Sequence, residues 1–175
     1  RPKIKNASGP FTSHDSQVDL VDMFVGSEGI FGMISSVEFS IEKTPLDYLD
    51  LFFTISEEPS AVKFHNQMTL KYGEDLDGIT AMEYFGHNCR KYMNNKEYLF
   101  KGPDSVGIYL QIPLYNKKLE DVIEKWHDFL LNINCDIDMD NILVLNDSNN
   151  WDIFFDARHS IPANALEQTK KWDAI

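Results

Sequence analysis

Apolar residues in the last third of the chain recur at the spacing of one helix face. Over 119–130 they fall three or four positions apart, with charged residues on the other side, which is the pattern of an amphipathic helix. A second helix is predicted over 56–72, with Ser56 as its cap and Gly73 as its stop. Two further helices are predicted, a short one near 88–94 and a long, interrupted one over 150–171.

Runs rich in β-branched and aromatic residues alternate with these helices and predict four strands. They lie at 48–55, 79–85, 106–112 and 142–145. From residue 46 the order is strand, helix, strand, then strand, helix, strand. This order predicts an α+β domain with a ferredoxin-like antiparallel sheet and helices on one face.

The first 44 residues have a different sequence pattern from the rest of the chain. A polar loop, 6–17, precedes a short predicted helix, 18–25, and a glycine-rich turn. Alternation of Val37, Phe39 and Ile41 with polar neighbours then predicts a half-buried strand over 33–41. The Thr44-Pro45 step closes this region. We therefore predict two domains, 1–45 and 46–175.

Charge and composition narrow the classes of partner. The net charge is −12 and the Lys and Arg residues are scattered, so a nucleic-acid footprint is absent. An anionic substrate then needs a local cation to overcome the negative field. No apolar run approaches the ~18 residues that span a bilayer. Two cysteines without metal spacing, Cys89 and Cys135, fit a reducing, cytoplasmic compartment, although a disulfide between them stays open.

Three glycines in seven positions separate the predicted helix from the predicted strand, in the run Gly26-Ser27-Glu28-Gly29-Ile30-Phe31-Gly32. Glycines permit positive φ and let another group approach the backbone N–H donors. The Lys-Ser/Thr pair of a P-loop is missing, and the run does not follow a strand and open a helix as a dinucleotide fingerprint does. Without further information, a plain tight turn is the favoured explanation of the run.

Over about forty residues, the wider stretch resembles the end of the FAD-binding domain of the FAD-linked oxidase family, of vanillyl-alcohol oxidase type. The resemblance rests on the runs 5–9, 19–20 and 22–34 and on the following strand that ends at Pro45. It implies that main-chain groups of the glycine-rich segment line an FAD. The residues concerned are Ser27, Glu28, Gly29, Ile30, Phe31, Gly32, Met33 and Ile34.

This chain departs from the family at two of these positions. Ile30 stands where Thr is usual and Phe31 where Leu is usual, so a side-chain hydroxyl contact to the cofactor is lost. The family's pyrophosphate loop lies upstream of Arg1, and the chain has no initiator Met. We therefore expect a fragment that lacks the first half of the FAD domain and binds FAD weakly or not at all by itself.

The run 151–162 resembles the family segment in which an arginine on a helix binds the substrate carboxylate beside the flavin. The resemblance gives this role to Arg158, because a guanidinium binds a carboxylate through two parallel hydrogen bonds. An ordinary ion pair with Asp156 or Asp152 is the simpler alternative. His159 is a candidate acid or base, although a helix-surface histidine without a chemical role is the favoured interpretation.

Other candidate chemistry is weaker. Carboxylates at Asp136, Asp138 and Asp140 imitate the start of a calcium loop, but Asn141 replaces its turn glycine, so a solvated acidic turn is favoured. The histidines lack HxxxH or HExxH spacing. The family's metal motif would lie downstream of Ile175, and no metal is expected here. The aromatic residues Trp126, Phe52 and Phe53 are predicted to be core.

The leading hypothesis is thus a fragment of an FAD-dependent dehydrogenase or oxidase that acts on a small 2-hydroxy acid of the lactate, glycolate or 2-hydroxyglutarate type. Within the family, an alcohol or phenol substrate, or an activity like that of alkylglycerone-phosphate synthase, is the alternative. A non-catalytic α+β binding module is the alternative of another class. The substrate, the electron acceptor and the oligomeric state are not predicted.

Overall fold

The computed structural model describes residues 20–41, 43–73, 76 and 78–172. The chain divides into two compact units, Arg1–Glu42 and Lys43–Ile175, and the predicted boundary at Thr44-Pro45 lies close to this division.

The described residues of the first unit contain one short helix, α1, Leu20–Phe24. It agrees with the predicted helix over 18–25, whose first two residues lie outside the described part of the chain. The predicted strand over 33–41 is wrong, because these residues have no regular secondary structure. A strand needs a neighbour to satisfy its backbone, and the described residues of this unit contain none. The apolar side chains of residues 33–41, including Met33 and Ile41, are consequently exposed.

The second unit is an α+β fold. Its strands are β1 (Asp47–Ile55), β2 (Ala81–Phe85), β3 (Val106–Leu114) and β4 (Leu143–Val144), and its α-helices are α2 (Glu58–Tyr72), α3 (Lys96–Leu99), α4 (Leu119–Asn132) and α5 (Ser148–Trp172). Two 3-10 helices, His87–Tyr92 and Met139–Asn141, lie between them. The strands form one antiparallel sheet in the order β2-β3-β1-β4. The predicted ferredoxin-like order of elements and the α+β class are confirmed.

Helix α2 begins one position later than a Ser56 cap requires. Its N-cap is Glu57, which makes no side-chain capping bond, and Pro59 lies in the first turn. The predicted stop is confirmed, since Gly73 has φ +80° and donates its N–H to Thr69 O at 2.9 Å. A positive φ at the residue after a helix is the conformation that glycine adopts most readily.

Alternate residues of β1 enter two different cores. Leu49, Leu51, Phe53 and Ile55 pack on one face of the sheet with apolar residues of α2 and α4, including Phe64 and Trp126. Phe52 points to the other face, where it packs with Tyr109 and with Phe154 of α5. The prediction of helices on only one face is therefore wrong. The near-continuous apolar run of β1 is the sequence property that matches burial on both faces.

Helix α5 runs unbroken from Ser148 to Trp172, with Pro162 inside it, so the predicted interruption is wrong.

The prediction of a core position is confirmed for Trp126, Phe52 and Phe53, which are almost completely buried. Within the described residues, no helix combines the length and apolar character that crossing a membrane requires.

Candidate functional site

A row of polar side chains crosses the sheet face on which α5 packs. Asp50 of β1 lies opposite Gln111 of β3, and Glu83 of β2 lies opposite Tyr109 of β3. Directly opposite residues share a face of a sheet, and Tyr109 and Gln111 are two positions apart on one strand. Arg158 reaches this row from α5. We call these five residues the polar row.

Asp50 organises one end of the polar row. Its Oδ1 accepts the phenolic hydroxyl of Tyr109 at 2.6 Å and the side-chain amide of Gln111 at 3.0 Å. Its backbone N–H donates to Asn146 Oδ1 at 3.1 Å, and its carbonyl accepts from Leu145 N at 2.8 Å. The carboxylate of Asp50 is thus held by two residues of β3, and its backbone is held by Leu145 and Asn146.

Tyr109 is a proton donor in this arrangement. Its ring stacks on Phe154 with centroids 4.9 Å apart, and only 5% of the residue is exposed. Burial raises the pKa of its hydroxyl, and the hydrogen bond to Asp50 and the charges of Asp50 and Glu83 raise it further. A phenol with a raised pKa stays protonated at neutral pH. Tyr109 therefore does not supply a base.

Arg158 occupies the other end of the polar row and pairs with Glu83. Its Nε donates to Glu83 Oε2 at 2.7 Å, and its Nη2 donates to Oε1 at 2.6 Å. The hydrogen bond to Glu83 raises the pKa of the guanidinium above its ordinary value. The side chain of Arg158 remains 42% exposed, so this permanent cation faces solvent.

The simpler ion pairs considered for Arg158 do not form. Asp156 instead accepts hydrogen bonds from the side-chain amides of Asn94 and Asn95. Arg158 is held at the sheet because its helix is anchored on either side of it. Ala157 and Ser160 are buried, and Ser160 Oγ accepts the backbone N–H of Asn94 at 2.9 Å.

His159 lies on the surface of α5. Its Nδ1 is 3.0 Å from the carbonyl oxygen of Phe155, and its ring lies against that of Phe155 with centroids 3.8 Å apart. The imidazole thus interacts with its own helix, as a helix-surface histidine does. Its assignment as an acid or base stays a prediction.

The glycine-rich segment 26–34 belongs to the first unit and consists of consecutive tight turns. Hydrogen bonds run from Ile30 N to Ser27 O at 2.9 Å and from Gly32 N to Gly29 O at 3.2 Å. Gly29 has φ +85° and Gly32 has φ +128°, and nothing lies within 4 Å of the place a Cβ would take at either residue. Both positions favour glycine and leave the backbone open to an approaching group.

Several main-chain donors of this segment are available. The N–H groups of Glu28, Gly29 and Phe31 bond to no described residue, and Glu28 also has a positive φ, of 49°. Successive free N–H groups in turns form concave sites for anionic groups. This backbone fits one wall of a phosphate-containing or flavin cofactor site. The side chains of Ile30 and Met33 are largely exposed, so they would contact a ligand only by packing.

The acidic segment near residue 138 uses its carboxylates in separate local bonds. Asp136 accepts from Ser60 Oγ at 3.1 Å, Asp138 from Asn141 Nδ2 at 2.7 Å, and Asp147 from Asn150 N at 2.9 Å. In the described parts of the chain, no three His, Cys, Asp or Glu side chains converge as metal ligands do.

Concavities also lie away from the polar row. One, of about 580 Å³, is lined mainly by apolar residues together with Glu58, His65 and Tyr84. Another, of about 520 Å³, lies beside Thr54, Ser105 and Asp138. Neither of these two has a lysine or arginine among its lining residues, and so neither offers what a small carboxylate needs. A smaller one, of about 230 Å³, is lined by Lys117 and Lys125.

The sequence predicted a role for Arg158 but not for Asp50 and Glu83, the two carboxylates of the polar row. Asp50 interrupts the apolar run of β1 between Leu49 and Leu51, and Glu83 lies within the predicted strand over 79–85. A carboxylate inside an otherwise apolar strand is costly to bury without a partner. The positions of Asp50 and Glu83 within apolar strands could therefore have indicated that each has a polar partner.

No protein family model matches this chain, and no curated protein does.

Proposed function

We propose that this chain is part of an FAD-dependent oxidoreductase that oxidises a small 2-hydroxy acid, with Arg158 binding the carboxylate of the substrate. The observation that carries the proposal is the partly exposed guanidinium of Arg158, which Glu83 holds beside the sheet face that α5 covers. An acidic protein that binds an anion needs such a local cation.

The glycine-rich segment supports the cofactor part of the proposal. Its positive-φ glycines and its free N–H groups fit the main-chain contacts that the resemblance implies. Bound FAD would supply the two-electron acceptor for the α-carbon hydride, and the proton of the substrate hydroxyl would leave to solvent water. The protein would hold the cofactor along 27–34, with the upstream half of the domain forming the rest of the site.

Arg158 contributes binding and orientation. A carboxylate held by two parallel hydrogen bonds loses its rotational freedom, which fixes the direction of the α-carbon hydrogen. A guanidinium stays protonated across the working pH range, and the hydrogen bond to Glu83 raises the pKa of Arg158 further. Tyr109 and Gln111 lie on the same face and hold Asp50 beside this site.

The charge of the polar row favours a second candidate, an alcohol or phenol oxidase of the same family. Asp50 and Glu83 outweigh the single charge of Arg158, so the row carries a formal charge of −1. A neutral alcohol avoids the repulsion that a carboxylate meets there. Turnover of neutral alcohols but not of 2-hydroxy acids would select this candidate.

A reducing, cytoplasmic location is part of the proposal. Cys89 and Cys135 are both free thiols, and burial raises the pKa of each, which keeps them in the less reactive protonated form.

The test uses the intact protein, including the upstream part of the FAD domain. We expect a stoichiometric flavin spectrum after purification and bleaching of that spectrum by D-lactate, glycolate or D-2-hydroxyglutarate in the absence of oxygen. Benzyl alcohol is the neutral control substrate. A protein that retains no flavin would instead support the non-catalytic binding module.

A further inference from the structure

The contact between Glu83 and Arg158 uses one particular edge of the guanidinium. Glu83 accepts from Nε and from Nη2 of Arg158, at 2.7 and 2.6 Å. This is the side edge of the guanidinium, and both carboxylate oxygens of Glu83 are engaged. The bond ties α5 to β2, an edge strand that pairs with β3.

A guanidinium carries five N–H donors, and Glu83 uses two of them. The second Nη2 hydrogen and both Nη1 hydrogens remain. One Nη1 hydrogen and this Nη2 hydrogen form the end edge of the guanidinium, and the other Nη1 hydrogen points back toward Cδ. None of the three bonds to a described residue. The end edge matches a second carboxylate through two parallel bonds, from Nη1 and Nη2.

Glu83 belongs to a rigid element, whereas Arg158 has a long and flexible side chain. Glu83 is placed by its strand opposite Tyr109, which is itself stacked on Phe154. Two bonds to such a residue fix the plane of the guanidinium before a ligand arrives. Binding groups that are already fixed lose less conformational entropy on binding.

We propose that Glu83 is a positioning residue that holds the side edge of Arg158, so that the end edge is presented to the substrate carboxylate. This inference rests on the proposed function. The alternative is that the carboxylate of Glu83 competes with the substrate carboxylate for Arg158. In that case Glu83 would weaken substrate binding instead of supporting it.

The two roles predict opposite changes in KM. The variant Glu83→Gln keeps the side-chain length but replaces one acceptor oxygen by an amide N–H₂, which faces the guanidinium and cannot accept. For a positioning role, we expect E83Q to raise KM for the 2-hydroxy acid about tenfold, with kcat changed less than about threefold. A competitor predicts a lower KM. Glu97→Gln, at an exposed glutamate of α3, is the matched control and should leave both constants unchanged.

A second measurement needs no flavin. In the 175-residue chain, ¹⁵N NMR should show a slowly exchanging Nε–H of Arg158. Addition of glycolate should shift this signal, and the E83Q variant should lose it.

The variant R158Q distinguishes a failure of the proposed function from a failure of the inference about Glu83. If R158Q leaves KM unchanged, the proposed function and this inference both fail. If R158Q raises KM but E83Q leaves it unchanged or lowers it, only the inference about Glu83 fails.

Discussion

Tyr109 donates its phenolic hydroxyl to Oδ1 of Asp50 at 2.6 Å, and this bond joins the two central strands across the face on which α5 packs. The donor is buried and the acceptor is a half-buried carboxylate. Hydrogen bonds to charged groups contribute more than neutral ones. The bond therefore stabilises both the sheet and the polar row.

Replacing Tyr109 by Phe removes this bond while keeping the ring against Phe154. We expect Y109F to lower the free energy of unfolding by about 1–2 kcal/mol, less than a fully buried charged pair because Gln111 still donates to Asp50. Urea unfolding followed by circular dichroism measures the change. Tyr115→Phe is the control, since Tyr115 is exposed, and it should change stability by less than about 0.5 kcal/mol.

Stability should fall in alkaline solution. Burial raises the pKa of Tyr72, Tyr84 and Tyr109 in the folded protein above the value of about 10 that each has when unfolded. Above pH 10 the unfolded state therefore releases protons that the folded state retains, so the free energy of unfolding decreases as pH rises. Below about pH 9 these three hydroxyls are protonated in both states, so they do not make the free energy of unfolding depend on pH.

Urea unfolding at about pH 8.5 and pH 10.5 measures this effect. Y109F removes one of the three contributing groups and should have a smaller difference between the two pH values than the original protein. An equal or larger difference in Y109F would contradict the assignment. Tyrosinate absorbance of the folded chain should also show these three residues ionising above pH 10, later than a free tyrosine.

Gly107 of β3 has no room for a side chain. A Cβ there would lie 2.6 Å from Phe52 Cζ and 2.8 Å from Phe52 Cε2, and the ring of Phe52 is fully buried. We expect Gly107→Ala to destabilise the fold by about 1–3 kcal/mol through overpacking. At Gly102 the nearest atoms lie at an ordinary 3.7 Å. Gly102→Ala should therefore be nearly neutral in thermal unfolding, and equal effects of the two variants would contradict the packing described around Phe52.

Arg158 should matter little for folding. Its side chain is 42% exposed and that of Glu83 is 32% exposed, and pairs of this kind contribute about 0–1 kcal/mol. We expect Arg158→Gln to fold, to keep the original circular dichroism spectrum and to lose no more than about 1 kcal/mol in urea. A larger loss would mean that kinetic effects of this variant report on folding rather than on substrate binding.

The second unit was largely predictable because its local patterns agree with its topology. The apolar periodicity of α4, the strand run of β1 and the Gly73 stop each matched the structure. The features that were predicted wrongly depend on contacts between segments that are far apart in the sequence. The alternating Val37 and Phe39 have the pattern of a strand but no strand beside them among the described residues, and α5 covers a sheet face that strand alternation alone does not assign to any helix.

The candidate site was predictable only in part, for the same reason. The helical arginine was found by resemblance, but its partner Glu83 is 75 positions away along the chain and is brought to it by the register of β2 and β3. Strand register depends on the whole sheet and on its packing. The pairing of Glu83 with Arg158 therefore cannot be predicted from the sequence of either segment alone.

The central claim is that Arg158 binds the carboxylate of a 2-hydroxy acid in a flavin-dependent reaction. Anaerobic reduction of the flavin of the intact protein by a series of D-2-hydroxy acids tests it most directly, with R158Q compared at each concentration. We expect the original protein to be reduced and R158Q to need at least about tenfold more substrate, while neutral alcohols do not distinguish the two. Equal reduction of both proteins by 2-hydroxy acids, or an intact protein without flavin, would contradict the claim.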